Sequence, residues 1–342
     1  MRGSVLAQVP SSEAPMSVAQ AEALFASLLA DELDDGEVIA LLTGLAERGE
    51  SEEEILGCVR AMLRRVEIID CGDLRAIDIG GTGGDRLNTF NISTTAAFVV
   101  AAAGVPVLKH GNRGFSSRSG SADMIEALGI RLPSSGETRA VSQCLEAIGL
   151  AYLFTPTHHR FPPRLNELRR KLRIRTIFNL AGPMAHPARL SAQLIGVADA
   201  ALLPLFTNVL AQIGRRAAWV VHGHDGSDEI SITGPTAIMS LRDGKSRLME
   251  LMPEDFGVVR SDLADIVGGD AHDNAEICKR ILAGEEGAKS DAVIACAASA
   301  LLLAGATDTL RDGVSLAFEA IHTGRAETIL QRLREASHDL AD

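Results

Sequence analysis

From Ser17 to about Val66 the apolar positions recur at helical spacing. "SVAQAEALFASLLADEL" opens on a serine suited to cap a helix and continues in strong helix formers. "DGEVIALLTGLAERG" follows and stops at Gly49. "SEEEILGCVRAMLRRVEI" opens with a Ser51–Glu54 capping box, and its Ile55, Leu56, Val59, Met62, Leu63 and Val66 share one helical face. Helices joined by short links predict a small helical domain. At Arg75 the pattern changes to a short apolar strand, "AIDI", then glycines, a helix "TAAFVVAAAG" starting near Thr95, and a second strand "VPVLKHG". Further strands are expected at "AYLFTP" (151–156), 193–198, 216–223 and 236–244, with helices between several of them. "SDAVIACAASALLLAGAT" and the segment from Leu310 to Ser337 read as C-terminal helices. Strand, loop, helix, strand is the order of an α/β fold with a parallel sheet. The expected class is therefore α/β: a small N-terminal helical domain plus a larger α/β domain with a mainly parallel central sheet and flanking helices. The divisions expected are a disordered leader at 1–16, a helical domain at 17–73 with a contribution from about 164–190, and the α/β domain at 74–342.

Composition narrows the function. The 342-residue chain carries a formal charge of −12, which speaks against a broad basic face for nucleic acid or a membrane surface. Its five cysteines are scattered and never form CxxC, so neither a disulfide framework nor a zinc site is expected, and a reducing cytoplasm fits. No apolar run reaches the length of a membrane span.

Four segments carry candidate chemistry. Gly80, Gly81, Gly83 and Gly84 directly follow a strand, where bare amides can wrap an anion. Asn91, Ser93 and Thr94 stand before the next helix, a second place for a phosphate. The spacing is neither the dinucleotide fingerprint nor a Walker loop. "LKHGNRGFSSRSGS" (108–121) follows the next strand and offers Lys109, Arg113 and Arg118 as cations. Consecutive parallel strands open on one edge, so the two loops should meet. In "HGHDGSDEISITG" (222–234) the carboxylates of Asp225, Asp228 and Glu229 crowd together, an arrangement that a hard cation such as Mg²⁺ relieves. Arg164, Arg169, Arg170, Arg173 and Arg175 form a basic run that reads either as a solvated helix face or, in an acidic protein, as an anion site.

The blocks "GTGGD", "NTFNIST", "KHGNR", "SSRSGSAD", "RTIFNLAGP" and "DGSDEIS", in this order, resemble the anthranilate phosphoribosyltransferases of tryptophan biosynthesis. The resemblance runs over essentially the whole chain after about residue 17. It implies transfer of phosphoribose from phosphoribosyl pyrophosphate (PRPP) to the amine of anthranilate, with Mg²⁺ as cofactor, in a cytoplasmic homodimer that binds neither nucleic acid nor membrane. It places Gly81, Gly84, Asp85, Thr89, Asn91, Ile92, Ser93, Thr94, Lys109, His110, Gly111, Asn112, Arg113, Ser117 and Ser121 around PRPP. Gly81, Asn112, His159 and Arg169 would contact anthranilate, and Ser93, Asp228 and Glu229 would ligate the metal. His110, Asn112 and Arg169 would position the reactants, with no residue singled out for acid–base work.

The chain also departs from the family pattern. Arg86 and Arg173 stand where the family usually has glycine, and Gly114 stands where it usually has serine. His159-Arg160-Phe161-Pro162-Pro163 replaces a His-Pro-Ala-Met-Lys stretch. This segment belongs to the acceptor pocket, which keeps two alternatives open: a phosphoribosyltransferase or phosphorylase for another acceptor, and a non-catalytic nucleic-acid-binding paralogue.

Overall fold

The computed structural model describes residues 15–114 and 118–339. Three helices come first: α1 (Val18–Leu29), α2 (Asp35–Arg48) and α3 (Glu52–Leu63). Each begins with a reciprocal capping box, Ser17 with Gln20, Asp34 with Glu37 and Ser51 with Glu54, so polar caps set where every apolar stripe starts. Met16, placed in the leader by the sequence reading, is instead buried, and its N–H donates to Glu54 Oε1 at 3.0 Å.

The chain then alternates: β1 (Ile77–Gly81), α4 (Ile92–Ala102), β2 (Val107–Gly111), α5 (Ser121–Ala127), α6 (Thr138–Ile148) and β3 (Leu150–Phe154). Three helices follow, α7 (Thr155–His158), α8 (Pro163–Leu172) and α9 (Ile177–Met184). After β4 (Ala192–Gly196), α10 (Leu202–Gln212) and β5 (Ala217–Gly223) come β6 (Thr236–Arg242) and β7 (Lys245–Leu251). The chain closes with α11 (Ala271–Leu282), α12 (Ala288–Ala304), α13 (Leu310–His322) and α14 (Arg325–Asp339). The strands form one seven-stranded sheet in the order β3-β2-β1-β4-β5-β6-β7. It is parallel from β3 to β5 and antiparallel in the last two pairs.

Three boundaries differ from the sequence reading. α4 begins at Ile92, so Ser93 and Thr94 lie in its first turn rather than before it. The expected strand at 151–156 ends at Phe154, and Thr155-Pro156 starts α7, where proline is at home. The run at 236–244 is a strand plus a turn. Asp243 (φ 47°) and Gly244 (φ 77°) make a two-residue hairpin into β7, an edge strand whose largely polar sequence gave no apolar signal.

Apolar side chains bury on both faces of the sheet. Leu194, Trp219 and Val221 point into a core shared with α4, α12, α13 and α14. Their neighbours Ile195, Ala218 and Val220 point into a second core that is continuous with α1–α3, α9 and α10. The helical region therefore packs onto one sheet face rather than standing apart. Arg164 at the start of α8 ties it to α2 and its approach, bonding Asp31, Asp35 and the Leu33 carbonyl.

Candidate active site

Successive strands run outward from β1 to β3, and the chain then returns to the other side of β1 with β4. The reversal leaves a crevice at the carboxyl ends of β1 and β4, where open α/β sheets bind ligands. A β-carbon on Gly81 would lie 2.3 Å from Asp228 Oδ2, and one on Gly196 only 1.6 Å from the Asp228 carbonyl oxygen. Glycine at both strand ends is thus what allows the acidic loop to seat in the crevice. Gly83 and Gly84 turn the loop with φ of 64° and 90°.

Asp228 Oδ2 accepts the Gly83 N–H at 2.7 Å, and Glu229 Oε1 accepts the Ser93 N–H at 3.3 Å from the first turn of α4. The glycine loop, the helix N-terminus and the acid pair therefore converge. Burial and the neighbouring Asp85 push the Asp228 carboxyl upward, and burial with Asp228 beside it pushes Glu229 further. Asp85 is raised chiefly by burial, and its Oδ2 is buried without a partner. Carboxylates held this way suit a cation. Among the described residues no three acidic, His or Cys side chains form a complete metal site. That donor set fits Mg²⁺, which keeps water and phosphate oxygens and takes one or two carboxylates from the protein. Asp225 does not join the pair. It accepts from Ser227, Ser231 and Thr233, and these bonds, outweighing burial, lower its pKa and shape the turn.

The loop after β2 arrives from the other side. Gly111 has Ser121 Oγ and Tyr152 Oη within 2.4 Å of where a β-carbon would sit, and those two hydroxyls bond each other at 2.8 Å. The Asn112 carbonyl accepts the Ala122 N–H and Ser121 Oγ. Asn91 Oδ1 receives Ser119 Oγ and, from α11, Asn274 Nδ2, which joins the two loops. Thr89 bridges to Val267 and so fixes the far end of the glycine loop. Two cations are already engaged: Arg113 pairs with Asp123 and Glu126, and Lys109 is buried with Nζ donating to the Ile79 carbonyl at 2.6 Å. Ser117 lies outside the described residues.

An aromatic row leaves this edge from His110. Ring centroids step 5.1 Å to His159, 5.6 Å to Phe161 and 5.2 Å to Phe178. Arg169 lies over Phe178, its guanidinium carbon 5.1 Å from the centroid. The Arg169 Nε is buried without a partner, and no carboxylate pairs with the side chain among the described residues. Burial lowers its pKa to about 10. Its Nη2 lies 3.5 Å from Asn179 Oδ1, and a largely buried guanidinium without a counter-ion suits a carboxylate ligand. The rest of the basic run does other work. Arg164 and Arg175 make ion pairs with Asp31, Asp35 and Glu50, while Arg170 and Arg173 are exposed. Of the run, Arg169 is thus the one largely buried arginine left without an ion pair among the described residues.

The chain is similar to known proteins over nearly its whole length. Residues 73–327 match the model of the glycosyl transferase family a/b domain, and residues 7–66 match its helical bundle domain. The anthranilate phosphoribosyltransferase of Moorella thermoacetica is 46% identical over 329 residues, 96% of each chain. The chain belongs to the anthranilate phosphoribosyltransferase family. The family's crystal structure from Thermus thermophilus superposes with a TM-score of 0.89 at 34% identity, covering 98% of this chain and 100% of that one. The Saccharomyces cerevisiae member, in complex with PRPP and Mg, gives 0.88 at 26% identity over 98% and 97%.

Asp78, Gln193, His186 and Asn274 brace the candidate site by hydrogen bonds that the sequence reading missed. They act across contacts of 32 to 183 positions, which no local spacing reveals. The buried aspartate inside an otherwise apolar strand, "IDIG", was the one available signal.

Proposed function

We propose that the chain transfers the phosphoribosyl group of PRPP to the amine of anthranilate, releasing pyrophosphate and giving N-(5-phosphoribosyl)anthranilate. The observation that carries this reading is the convergence of Gly83 N–H, the Ser93 N–H of α4 and the Asp228–Glu229 pair at the β1–β4 crevice. Ser93, Asp228 and Glu229 would hold Mg²⁺, which when bound offsets the charge of the pyrophosphate. The glycine-loop amides and the N-terminus of α4 stabilise negative charge as the C–O bond breaks and the leaving group takes the electron pair. The sugar carbon gains cationic character, and the neutral amine attacks it. The new C–N bond leaves a proton on nitrogen that passes to solvent. Burial keeps His110 and His159 neutral, so the site orients the amine rather than charging it. Arg169 supports the acceptor by forking onto its carboxylate, and with Gly81 and Asn112 it sets the approach to the sugar.

A second acceptor class has one observation in its favour, the Phe161-Pro162-Pro163 segment beside His159. Mg²⁺- and PRPP-dependent loss of anthranilate fluorescence tests the main reading. Turnover of other aromatic amines but not of anthranilate would replace it. A homodimer is proposed from the family likeness. The apolar residues of α1–α3 are largely covered within the chain and add no support to it. Sedimentation at micromolar concentration tests this point. No helix among the described residues is long and apolar enough to cross a membrane, and the five cysteines are free thiols, which supports a reducing compartment.

A further inference from the structure

β1 and β2 pair at only one position, Ile77 with Val107. A parallel ladder continued from there would have the Leu108 carbonyl accept from Ile79 and the His110 N–H donate to the Ile79 carbonyl. Three of these four groups, all but the Ile79 N–H, bond side chains instead. The Leu108 carbonyl accepts His186 Nε2 at 3.0 Å, the Ile79 carbonyl accepts Lys109 Nζ at 2.6 Å, and the His110 N–H donates to Asp78 Oδ1 at 3.0 Å. Three buried side chains thus stand in the gap between the strands and bond both of its carbonyls and the His110 N–H.

Asp78 is the hub of this arrangement. Its Oδ2 accepts Gln193 Nε2 from β4 at 3.0 Å, and the same Nε2 donates to the Pro183 carbonyl of α9 at 2.8 Å. Both partners of Gln193 are acceptors, which fixes the orientation of its amide. One carboxylate therefore joins β1, β2 and β4, and through Gln193 it reaches α9. Burial raises the pKa of this carboxyl, while Lys109, the N–H donors on both oxygens and Arg215 favour its ionised form. The segment it holds carries His110, whose Nε2 meets His159 Nε2 at 3.2 Å at the head of the aromatic row.

We propose, on the basis of the acceptor site described above, that Asp78 is a positioning residue. It holds the end of β2 away from β1 so that His110 meets His159 and the acceptor ring is aligned with the glycine loop. It touches neither substrate and acts through the backbone of His110.

The test uses the full chain with ¹⁵N-labelled histidine and two variants. Asp78→Asn keeps the volume but sets an amide N–H₂ against Gln193 Nε2. Gln193→Met removes the second arm and leaves Asp78 in place. In Asp78→Asn the imidazole ¹⁵N signals of His110 and His159 should shift. The anthranilate KM should rise about tenfold while the PRPP dissociation constant changes less than about twofold. Gln193→Met should move the same readouts in the same direction by about threefold, and it decides the matter if Asp78→Asn does not fold. Unchanged imidazole signals with an unchanged anthranilate KM in the folded variant would overturn the proposal. Equal losses for both substrates would also overturn it, because that is the mark of a general structural role. Shifted imidazole signals in a protein that turns over no anthranilate would keep the positioning role and reject the acceptor assignment.

Discussion

Among single residues, the proposed acceptor site rests on Arg169, a guanidinium stacked on Phe178 with its Nε unpaired. Lysine would keep the charge and lose both the planar fork and the stacking. Arg169→Lys should therefore raise the anthranilate KM roughly tenfold, equivalent to about 1.4 kcal/mol, and leave the PRPP KM nearly unchanged. Steady-state kinetics with each substrate varied in turn would show the split, and equal changes in both would remove Arg169 from the acceptor site. Phe161 stands between His159 and Phe178, at a position where the resembling family pattern has alanine. Phe161→Ala should cost about 3 kcal/mol of stability, typical of an emptied aromatic position. It should also raise kcat/KM for ring-methylated anthranilates relative to anthranilate. An unchanged ratio would mean that Phe161 serves only the core.

At the scale of elements, the two arginines that replace family glycines tell a common story. Arg86 lies in the glycine loop at φ 61°, and Arg173 ends α8 at φ 54° and ψ 28°. Both occupy left-handed backbone, so the chain keeps the conformation that glycine takes freely and bears its cost. That cost is about 1 kcal/mol or more for a residue with a β-carbon, partly offset because glycine gains more freedom when unfolded. Arg173 is exposed and makes no ion pair among the described residues, so Arg173→Gly should raise stability by about 0.5 kcal/mol. Urea denaturation would show this as a higher midpoint with unchanged slope, and a lower midpoint would contradict it. Elements with strong local signals were legible in the sequence. Helical spacing, the Ser17 cap and the Ser51–Glu54 capping box marked α1–α3, and the glycine run after an apolar strand marked the candidate anion loop. β7 was not legible, because an exposed edge strand needs no apolar alternation. The arginine run misled because spacing shows a charge without its partner, and only the folded chain brings Asp31, Asp35 and Glu50 to it.

At the scale of the whole molecule, the interior holds a cluster of buried histidines near the site, and these make stability depend on pH. Burial lowers the pKa of His159 and His186 to about 3 and of His158 to about 4, and it holds His110 well below its usual range. Between those values and the ordinary value near 6.5, the unfolded chain binds more protons than the folded one. Stability from these groups is thus fully present above about pH 6.5 and is lost as pH falls, by up to about 1.4 kcal/mol per pH unit for each histidine. The raised carboxyls of Asp78, Asp228 and Glu229 act in the opposite sense. The clean observable is therefore a difference. His159→Gln should flatten the stability–pH slope near pH 5 by about one proton's worth relative to the parent chain, and parallel curves would show that His159 is not held neutral by the fold. The mixed sheet order and the merging of the helical core with one sheet face were beyond the sequence for the same reason as the Asp78 network, since they depend on which distant segments meet. The central claim is that the β1–β4 crevice, armed by Asp228 and Glu229, delivers phosphoribose to anthranilate. Its most direct measurement is the PRPP-driven loss of anthranilate fluorescence in the presence of Mg²⁺, made on the parent chain and on Asp228→Asn/Glu229→Gln. Steady loss is expected with the parent, and a rate lower by at least about a hundredfold in the folded double variant. Equal rates in the two proteins, or no loss with the parent, would contradict it.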